Sequence, residues 1–452
     1  MDLVQATREL FESSSRAFPV RLWDGTVLPA SSGAGPRGAL ALTSPRALDA
    51  LIPPASEQRL AESFLDGDLE LDGDSIGLLE AAGRWEGPRL RASLAKALAS
   101  IVVHRGVTRD GAGALVSRLR GAPHSLVRDR MAVRHHYDFS DAFYRLFLDR
   151  ALVYSCAYFA TGTESLEEAQ QAKLDLICRK LSLARGERLL DVGCGWGSLL
   201  EHAAAHYQVD GLGITLSEHQ LAEARRRLAG APAGCRVTVR AMDYRQVPAA
   251  ERFHKAASVG MMEHVGRAHL DAYFSNVHRL LHPGGLFLNH AIADISPGIA
   301  TLPWASRREG GFIDRYIFPD GDLVPLGLVI AAAERAGFEV RDVESLREHY
   351  AETLAAWLGR LEQRMDEAVA LAGRRAARVY RLYLASSAAA FRLGRISVFQ
   401  LLLAKRSEDG RALGVPRCRA AWYRPNAPPA AAQGIGRSSS VGPSAPAITS
   451  SS

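Results

Sequence analysis

The chain lacks any apolar run long enough to cross a bilayer. Its longest, near Leu326 to Ala333, is bounded by Pro325 and Glu334, well short of the ~20 residues that a hydrocarbon core demands. The start, Met1-Asp2-Leu3, lacks a basic segment followed by an apolar one, so no secretory signal is expected and the predicted compartment is the cytoplasm. Cysteine is scarce: Cys156, Cys178, Cys194, Cys235 and Cys418 are five in 452 residues, an odd number without Cys-x-x-Cys spacing. Neither a disulfide framework nor a zinc site is indicated, and the thiols are expected to be reduced. His135-His136 and His264 have no His-x-x-x-His companion, and adjacent side chains point apart, so no metal is expected. The acid-rich stretch Asp66 to Asp74 lacks the final Glu of a calcium-binding EF-hand loop. Leu69 and Leu71 alternate within it as in a short strand between turns.

What is present is ordinary for a soluble globular chain, 47% hydrophobic and 23% charged. Residues 1–123 hold a strand and turn at Phe18 to Gly25 and short helices at Ser44 to Leu51 and Ser56 to Leu65. Residues 427–452 are dominated by Pro, Ala, Gly and Ser, a composition that cannot bury enough surface to order itself, so a disordered tail is expected. The balance of 55 basic against 49 acidic residues gives +6. Part of the excess lies between His104 and Arg134, where Arg105, Arg109, Arg118, Arg120, Arg128, Arg130 and Arg134 meet only Asp110 and Asp129. Without interleaved aromatics to stack on bases, this segment does not read as a nucleic-acid site. It suits anionic lipid headgroups or a solvated linker.

The most informative stretch is Leu189 to Gly197, Leu-Leu-Asp-Val-Gly-Cys-Gly-Trp-Gly. A short apolar run from Arg188 to Val192 enters it, and Leu199, Leu200, Ala203, Ala204 and Tyr207 follow on one helical face. Strand, glycine turn and helix in that order let a ligand approach the backbone closely, at the N-terminus of the helix. The pattern then repeats. Val209 to Ile214 reads as a second strand and Ser217 to Leu228 as its helix, with Ser217 as N-cap. A third strand precedes Met242-Asp243-Tyr244, and Lys255 to Gly260 forms a fourth. A helix from about Ala268 to Leu281 stops at His282-Pro283-Gly284-Gly285, before a strand from Leu286 to His290. A last helix, about Pro325 to Ala336, runs into Gly337-Phe338-Glu339-Val340. This serial order predicts an α/β fold with a mostly parallel central sheet. A nicotinamide-binding Rossmann domain expects Gly-x-Gly-x-x-Gly and an acid ending the second strand. Here the spacing is Gly-x-Gly-x-Gly and the second strand ends in Thr215-Leu216-Ser217. The glycine pattern with the Pro-Gly-Gly turn resembles class I S-adenosylmethionine-dependent methyltransferases.

Four further segments narrow the resemblance: His135-His136-Tyr137-Asp138 through Phe143-Tyr144; Tyr154-Ser155-Cys156-Ala157-Tyr158-Phe159; Gly213 to Gln220; and Ser258 to Gly266 with Met261-Met262-Glu263-His264 at its centre. In this order they resemble the cyclopropane-fatty-acyl-phospholipid synthase family, and Phe312 to Gly321 and His349-Tyr350 extend the similarity over roughly Arg130 to Lys405. The resemblance implies a class I methyltransferase Rossmann-like domain over 124–426, after a smaller N-terminal α+β domain for membrane docking or dimerisation. It implies S-adenosylmethionine held by Tyr154, Ser155, the turn Asp191, Gly193, Cys194, Gly195 and Gly197, then Thr215, Leu216, Ser217 and Gln220, with Asp243 and Tyr244 near the adenine. It further implies a bound bicarbonate contacted by Cys156, Glu263, His290, Ile292 and Tyr350.

The implied reaction adds a methylene group across a cis double bond in an acyl chain of an anionic membrane phospholipid, placing the protein peripherally on the inner face of the membrane. An isolated alkene is a weak nucleophile, and methyl transfer to it creates a carbocation that must be shielded from water and then lose a proton. Tyr154, Tyr158, Phe159, Trp304 and Tyr316 offer π faces for that cation or pack as ordinary core. Methylation of the same alkene to a methylene or methyl-branched product, and a noncatalytic lipid-binding or cofactor-sensing role, are the alternatives. One departure stands out: many relatives carry a cysteine in the late helix where this chain has Ser387, within Tyr383 to Arg392.

Overall fold

The structure, a computed structural model, describes residues 3–85 apart from 14, 34, 36 and 52–55, then 119, 121–295 apart from 138, 311–407, 409 and 414–423. Trp304, Arg105, Arg109, Asp110, Arg118, Arg120, the side chains of His135 and His136, and the segment 427–452 lie outside the described residues.

Among the described residues, seven strands form the main sheet: β5 (Arg188–Val192), β6 (Asp210–Thr215), β7 (Val237–Ala241), β8 (Phe253–Val259), β9 (Leu281–Asp294), β10 (Phe338–Ser345) and β11 (Ile396–Lys405). They lie in the order β10-β11-β9-β8-β5-β6-β7. β5 to β9 pair in parallel, and β11 inserts antiparallel to both β9 and β10. Helices cover both faces, so the central strands read as near-continuous apolar runs. In β5 every residue from Leu189 to Val192 is buried. Ser217 caps the helix Glu218–Leu228 as expected, its Oγ accepting from the Gln220 N–H at 3.3 Å.

Two differences from the expected layout have clear causes. The His282-Pro283-Gly284-Gly285 segment is not a loop before the strand: the preceding helix ends at Leu280 and β9 begins at Leu281. The extra residues are absorbed as a bulge, since the partners step from Phe253↔Leu281 to Lys255↔Leu286. Gly284 takes φ +79° there, and a Cβ on Gly285 would lie 2.9 Å from two carbonyl oxygens. β9 also runs beyond His290 to Asp294, because β11 pairs along it as far as Ile396↔Asp294.

The first region forms a small sheet of β1 (Val20–Arg21), β2 (Val27–Leu28), β3 (Gly38–Leu42) and β4 (Leu69–Gly73), in the order β2-β1-β3-β4. Leu69 and Leu71 face inward on β4. Its apolar face is continuous with later elements, since Phe11, Phe18 and Phe64 share one core with Phe143, Trp357 and Tyr380. The joint is electrostatic as well. On the helix Arg374–Arg392, the Arg378 guanidinium donates to the carbonyls of Phe64 (2.9 Å) and Leu69 (3.4 Å), pairs with Glu70 at 2.6 Å and lies over the Phe64 ring. Arg375 pairs with Glu62, and Arg381 reaches the Leu71 carbonyl at 2.8 Å. Among the described residues of the basic segment, Arg128 is held by Asp320 and the exposed Arg134 pairs with Glu218, while Arg130 is also exposed. No described helix is long and apolar enough to cross a membrane.

Because Arg378 is buried, truncating it strips buried carbonyls of their donor. Arg378→Met is expected to destabilise the protein by about 2 kcal/mol, read as a lower urea midpoint. An unchanged midpoint would refute a structural role for this joint.

Candidate active site

The glycine turn after β5 is shaped by three positive φ angles, at Gly193 (+81°), Gly195 (+53°) and Gly197 (+84°). The Gly193 and Cys194 N–H groups both donate to the Ile214 carbonyl at 3.0 Å, which ties the turn to β6. Gly195 opens onto free space, whereas a Cβ on Gly193 would strike the Met261 side chain at 2.9 Å. Above the turn lies one cleft at the C-terminal ends of β5, β6 and β8, where ligands of parallel α/β sheets bind. Tyr154, Ser155, Asp191, Gly193, Cys194, Gly195, Thr215, Leu216, Gln220, Asp243 and Tyr244 all line it.

Two expected contacts stand apart from the lining. Gly197 is needed for helix packing, since a Cβ there would sit 3.2 Å from Ala224 Cβ. The Ser217 hydroxyl is engaged in capping its own helix. Within the cleft, Thr215 Oγ1 donates to Gln220 Oε1 at 2.9 Å, and Asp243 pairs with Arg245 at 2.7 Å. Arg245 bridges on to Asp129 at 2.6 Å, drawing the helix Leu126–Tyr137 over one end.

The cleft also contains residues that the sequence did not assign to the cofactor, among them Asp129, Lys173, Met261 and His264. Lys173 had a signal: it sits on the apolar stripe of the helix Leu166–Lys180, with Leu166, Ala169 and Ile177, where a lysine needs an explanation. Burial lowers its ammonium to about 8, opposed by Asp149, Cys156 and Asp191. Burial likewise pushes the Asp191 carboxyl up to about 7, against the pull of Lys173.

Behind the cleft the other expected residues form a linked polar cluster. Glu263, in the turn after β8, accepts the Ile292 N–H on Oε1 at 2.8 Å, and its Oε2 is buried without a protein partner. His290 and Ile292 lie two apart on β9, on one face. His290 Nδ1 meets Gln400 Nε2 at 3.3 Å, and its Nε2 has no protein partner. The Cys156 sulfur lies 3.2 Å from the Ala157 carbonyl and 3.7 Å from the Leu346 carbonyl, which also receives the Tyr350 N–H. Leu346 N–H in turn donates to Val398 O, and Val398 pairs with Ile292. A chain of backbone contacts therefore joins Cys156 and Tyr350 to Ile292 and Glu263. Gly260 N–H donates to the His290 carbonyl at 2.8 Å, joining this cluster to the cleft wall.

Burial sets the protonation of the cluster. It pushes the Glu263 carboxyl up to about 7, with the Ile292 N–H opposing, and holds the His290 imidazole well below its ordinary range. It also raises the Cys156 thiol, so this sulfur is not a nucleophile at neutral pH. Of the aromatic candidates, Tyr154 lines the cleft and packs on Tyr144 and Trp357 at 5.5 and 5.3 Å. Tyr158 stacks on His349 at 4.8 Å, Phe159 is a half-buried packing residue, and Tyr316 donates to Glu62, so these take the packing role. Ser387 is half-buried on the late helix. No cluster of three His, Cys, Asp or Glu side chains able to hold a metal occurs among the described residues.

A mostly parallel sheet with this glycine turn and a cleft at its C-terminal edge defines a class I S-adenosylmethionine-dependent methyltransferase. Comparison with known proteins narrows the class. The family model for mycolic acid cyclopropane synthetase matches residues 124–401. A probable fatty acid methyltransferase of Pseudomonas putida is 40% identical over 90% of this chain and 96% of its own. The cyclopropane-fatty-acyl-phospholipid synthase of Escherichia coli (strain K12) is 35% identical over 75% of this chain and 86% of its own. The solved mycolic acid cyclopropane synthase CmaA1, complexed with SAH and CTAB, superposes with a TM-score of 0.59 at 38% identity, over 61% of this chain and 98% of that one. The chain belongs to the cyclopropane synthase family of S-adenosylmethionine-dependent methyltransferases.

The raised Glu263 carboxyl gives a stability test. The unfolded chain releases this proton near its ordinary 4.5, while the fold holds it to about 7. Between those values the folded state carries more protons, so this group's contribution to stability falls as pH rises, by about 1.4 kcal/mol per unit. Glu263→Gln keeps the Oε1 acceptor and removes the titration. The stability of the variant relative to the parent is therefore expected to rise from pH 5 to pH 8 in urea denaturation. A pH-independent difference would show that the carboxyl is not held neutral by burial.

Proposed function

We propose that the protein transfers a methylene unit from S-adenosylmethionine to the cis double bond of unsaturated phospholipid acyl chains, forming cyclopropane fatty acids. The observation that carries this reading is the pair Glu263 Oε2 and His290 Nε2, buried without protein partners next to the cofactor cleft. Attack of the alkene on the sulfonium methyl forms one carbon–carbon bond and breaks the sulfur–methyl bond. The carbocation that results loses a proton from the transferred methyl as the ring closes.

This chain's residues exclude water from that cation and hold the polar groups around the departing proton. The ring of Tyr154, backed by Tyr144 and Trp357, offers a cation-stabilising face. Glu263 and His290 fit a small oxyanion. With Oε1 taken by the Ile292 N–H, protonated Glu263 donates from Oε2. With the Gln400 amide N–H on Nδ1, neutral His290 carries its proton on Nε2 and donates there. Bicarbonate held between them would supply the proton-accepting base. Ile292 serves by fixing Glu263, since its N–H is already engaged, and Cys156 and Tyr350 brace the wall through Leu346.

The substrate places the protein peripherally on the inner face of the membrane, with exposed Leu126 and Val127 beside Arg130 as the edge toward anionic lipid. In this reading residues 1–123 are an accessory unit for docking or dimerisation, 124–426 the catalytic domain and 427–452 a tail.

The test is to incubate purified protein with S-adenosylmethionine and vesicles of cis-unsaturated phospholipid, with and without bicarbonate, and to analyse acyl chains by mass spectrometry and NMR. Cyclopropane ring protons and a loss of rate without bicarbonate are expected. Vinylic methylene protons would instead identify a methylating enzyme, and no added carbon would leave a binding protein. Glu263→Gln is expected to lower turnover by about 100-fold or more while retaining S-adenosylmethionine binding. Unchanged turnover would remove Glu263 from the mechanism.

A further inference from the structure

Lys180, the last residue of the helix Leu166–Lys180, is fully buried, and its ammonium faces two carboxylates of β10, Asp342 at 3.4 Å and Glu344. Asp342 is itself buried. One cation thus meets two anions out of water, an arrangement that is costly unless the remaining charge is balanced. The balance comes from late in the chain. Arg419 pairs with Asp342 and donates to the Val343 carbonyl at 3.4 Å, and the Tyr423 hydroxyl donates to Glu344 at 2.8 Å. Between them Trp422 is 3% exposed, with Lys180 Nζ 5.8 Å from its ring centre. Ser182, just past the helix, donates to the Gly414 carbonyl. Residues 414–423 therefore close over the Lys180 cluster as a clasp, and they lie beyond residues 124–401, which the family model matches.

The clasp touches both elements that build one wall of the cleft. Its turn Ala420–Tyr423 packs on the helix Leu166–Lys180, whose Gln170 holds the carbonyls of Val153 (3.3 Å) and Ser155 (2.9 Å). The Tyr423 ring stacks on Tyr158 at 6.4 Å and 27°, and Tyr158 stacks on His349 at 4.8 Å. His349 Nδ1 accepts the Phe159 N–H at 3.1 Å, and the Tyr158 N–H donates to the Ala169 carbonyl at 3.0 Å. Tyr154 and Ser155, at the start of the same segment, line the cofactor cleft, whereas Tyr423 does not. We infer that residues 414–423 couple to the methyl-donor cleft, with Tyr423 as a positioning residue that acts through Tyr158 on the segment Tyr154 to Phe159. This goes beyond the methyltransferase reading of the cleft and rests on it.

The test measures S-adenosylhomocysteine affinity by calorimetry on the full chain. Tyr423→Ala is expected to weaken binding by about fivefold or more, and Tyr423→Phe, which keeps a ring on Tyr158, by less than about twofold. Arg378→Met, which loosens a different joint, is the control and is expected to bind as the parent does. Coupling between sites is reciprocal, so the ligand is in turn expected to slow amide hydrogen exchange in residues 414–423 of the parent more than in β3. That measurement decides the question if thermal melting shows that Tyr423→Ala does not fold. Unchanged affinity in Tyr423→Ala, an equal loss in Tyr423→Phe or in the control, or exchange in the clasp that ignores the ligand would overturn the proposal and leave the clasp a surface brace. Failure of the parent protein to bind the ligand would instead count against the cofactor reading itself.

Discussion

The site depends on how the strap Tyr154-Ser155-Cys156 is held. Tyr154 packs on Tyr144, Phe147 and Trp357 and Cys156 is buried in the core, and hydrogen bonds from two sides fix the path between them. From the helix Leu166–Lys180, Gln170 grips the carbonyls of Val153 and Ser155, and Lys173 grips the Ser155 hydroxyl. From the opposite side, Thr353 Oγ1 accepts the Ala157 N–H at 3.0 Å and His349 Nδ1 accepts the Phe159 N–H at 3.1 Å. The strap thereby becomes a partition one residue thick. Ser155 lines the cleft, and the adjacent Cys156 is fully buried against Leu346. A reaction that joins a charged methyl donor to a hydrocarbon needs such a boundary, because each reactant is destabilised in the other's surroundings.

The partition also explains the run of perturbed acids and bases. Asp191 and Glu263 are raised, Lys173 and His290 are lowered, and in every case burial is the largest cause. Near pH 7 His290 is therefore neutral and Asp191 and Glu263 are partly protonated, whereas Lys173, at about 8, keeps most of its charge. Under the proposed carbocation chemistry this matters, because a fixed, well-exposed anion or free water beside the cation would be captured by it, whereas neutral hydrogen-bonding groups and aromatic faces would not.

The parts of this arrangement legible in the sequence are those set by local backbone demands. Gly193 and Gly195 need positive φ whatever the tertiary context, and Ser217 caps the helix that starts next to it. Glu263, His290 and Ile292 were reached through a family resemblance, not through their own spacing, because the contact between Glu263 and Ile292 spans 29 residues and exists only once β8 and β9 are side by side. Lys173 and Gln400 were missed for a different reason. Gln400 is a single polar residue in an apolar run and Lys173 a polar residue on the buried stripe of a mixed helix, and periodicity treats such a residue as noise unless one asks what a buried donor could serve. The arginines of the helix Arg374–Arg392 were hidden by the opposite bias: charges on a helix read as a solvated face, yet Arg378 bonds to residues more than 300 positions earlier.

β11 was the least legible element and has the largest consequence. Ile396 to Lys405 is an apolar stretch that would fit a buried helix or strand equally well, and nothing local says that it runs antiparallel between β9 and β10. Its register sets Val398 opposite Ile292 and Gln400 opposite His290. Had it slipped by one residue, the side-chain alternation would carry the amide of Gln400 to the other face of the sheet, and His290 would lose the partner that selects its tautomer. Val398 also accepts the Leu346 N–H, the link that brings in Cys156 and Tyr350. The antiparallel insertion is thus more than an edge embellishment on a parallel sheet. It supplies the second side of the polar cluster of Glu263, His290 and Ile292, whose geometry follows from where that strand was placed.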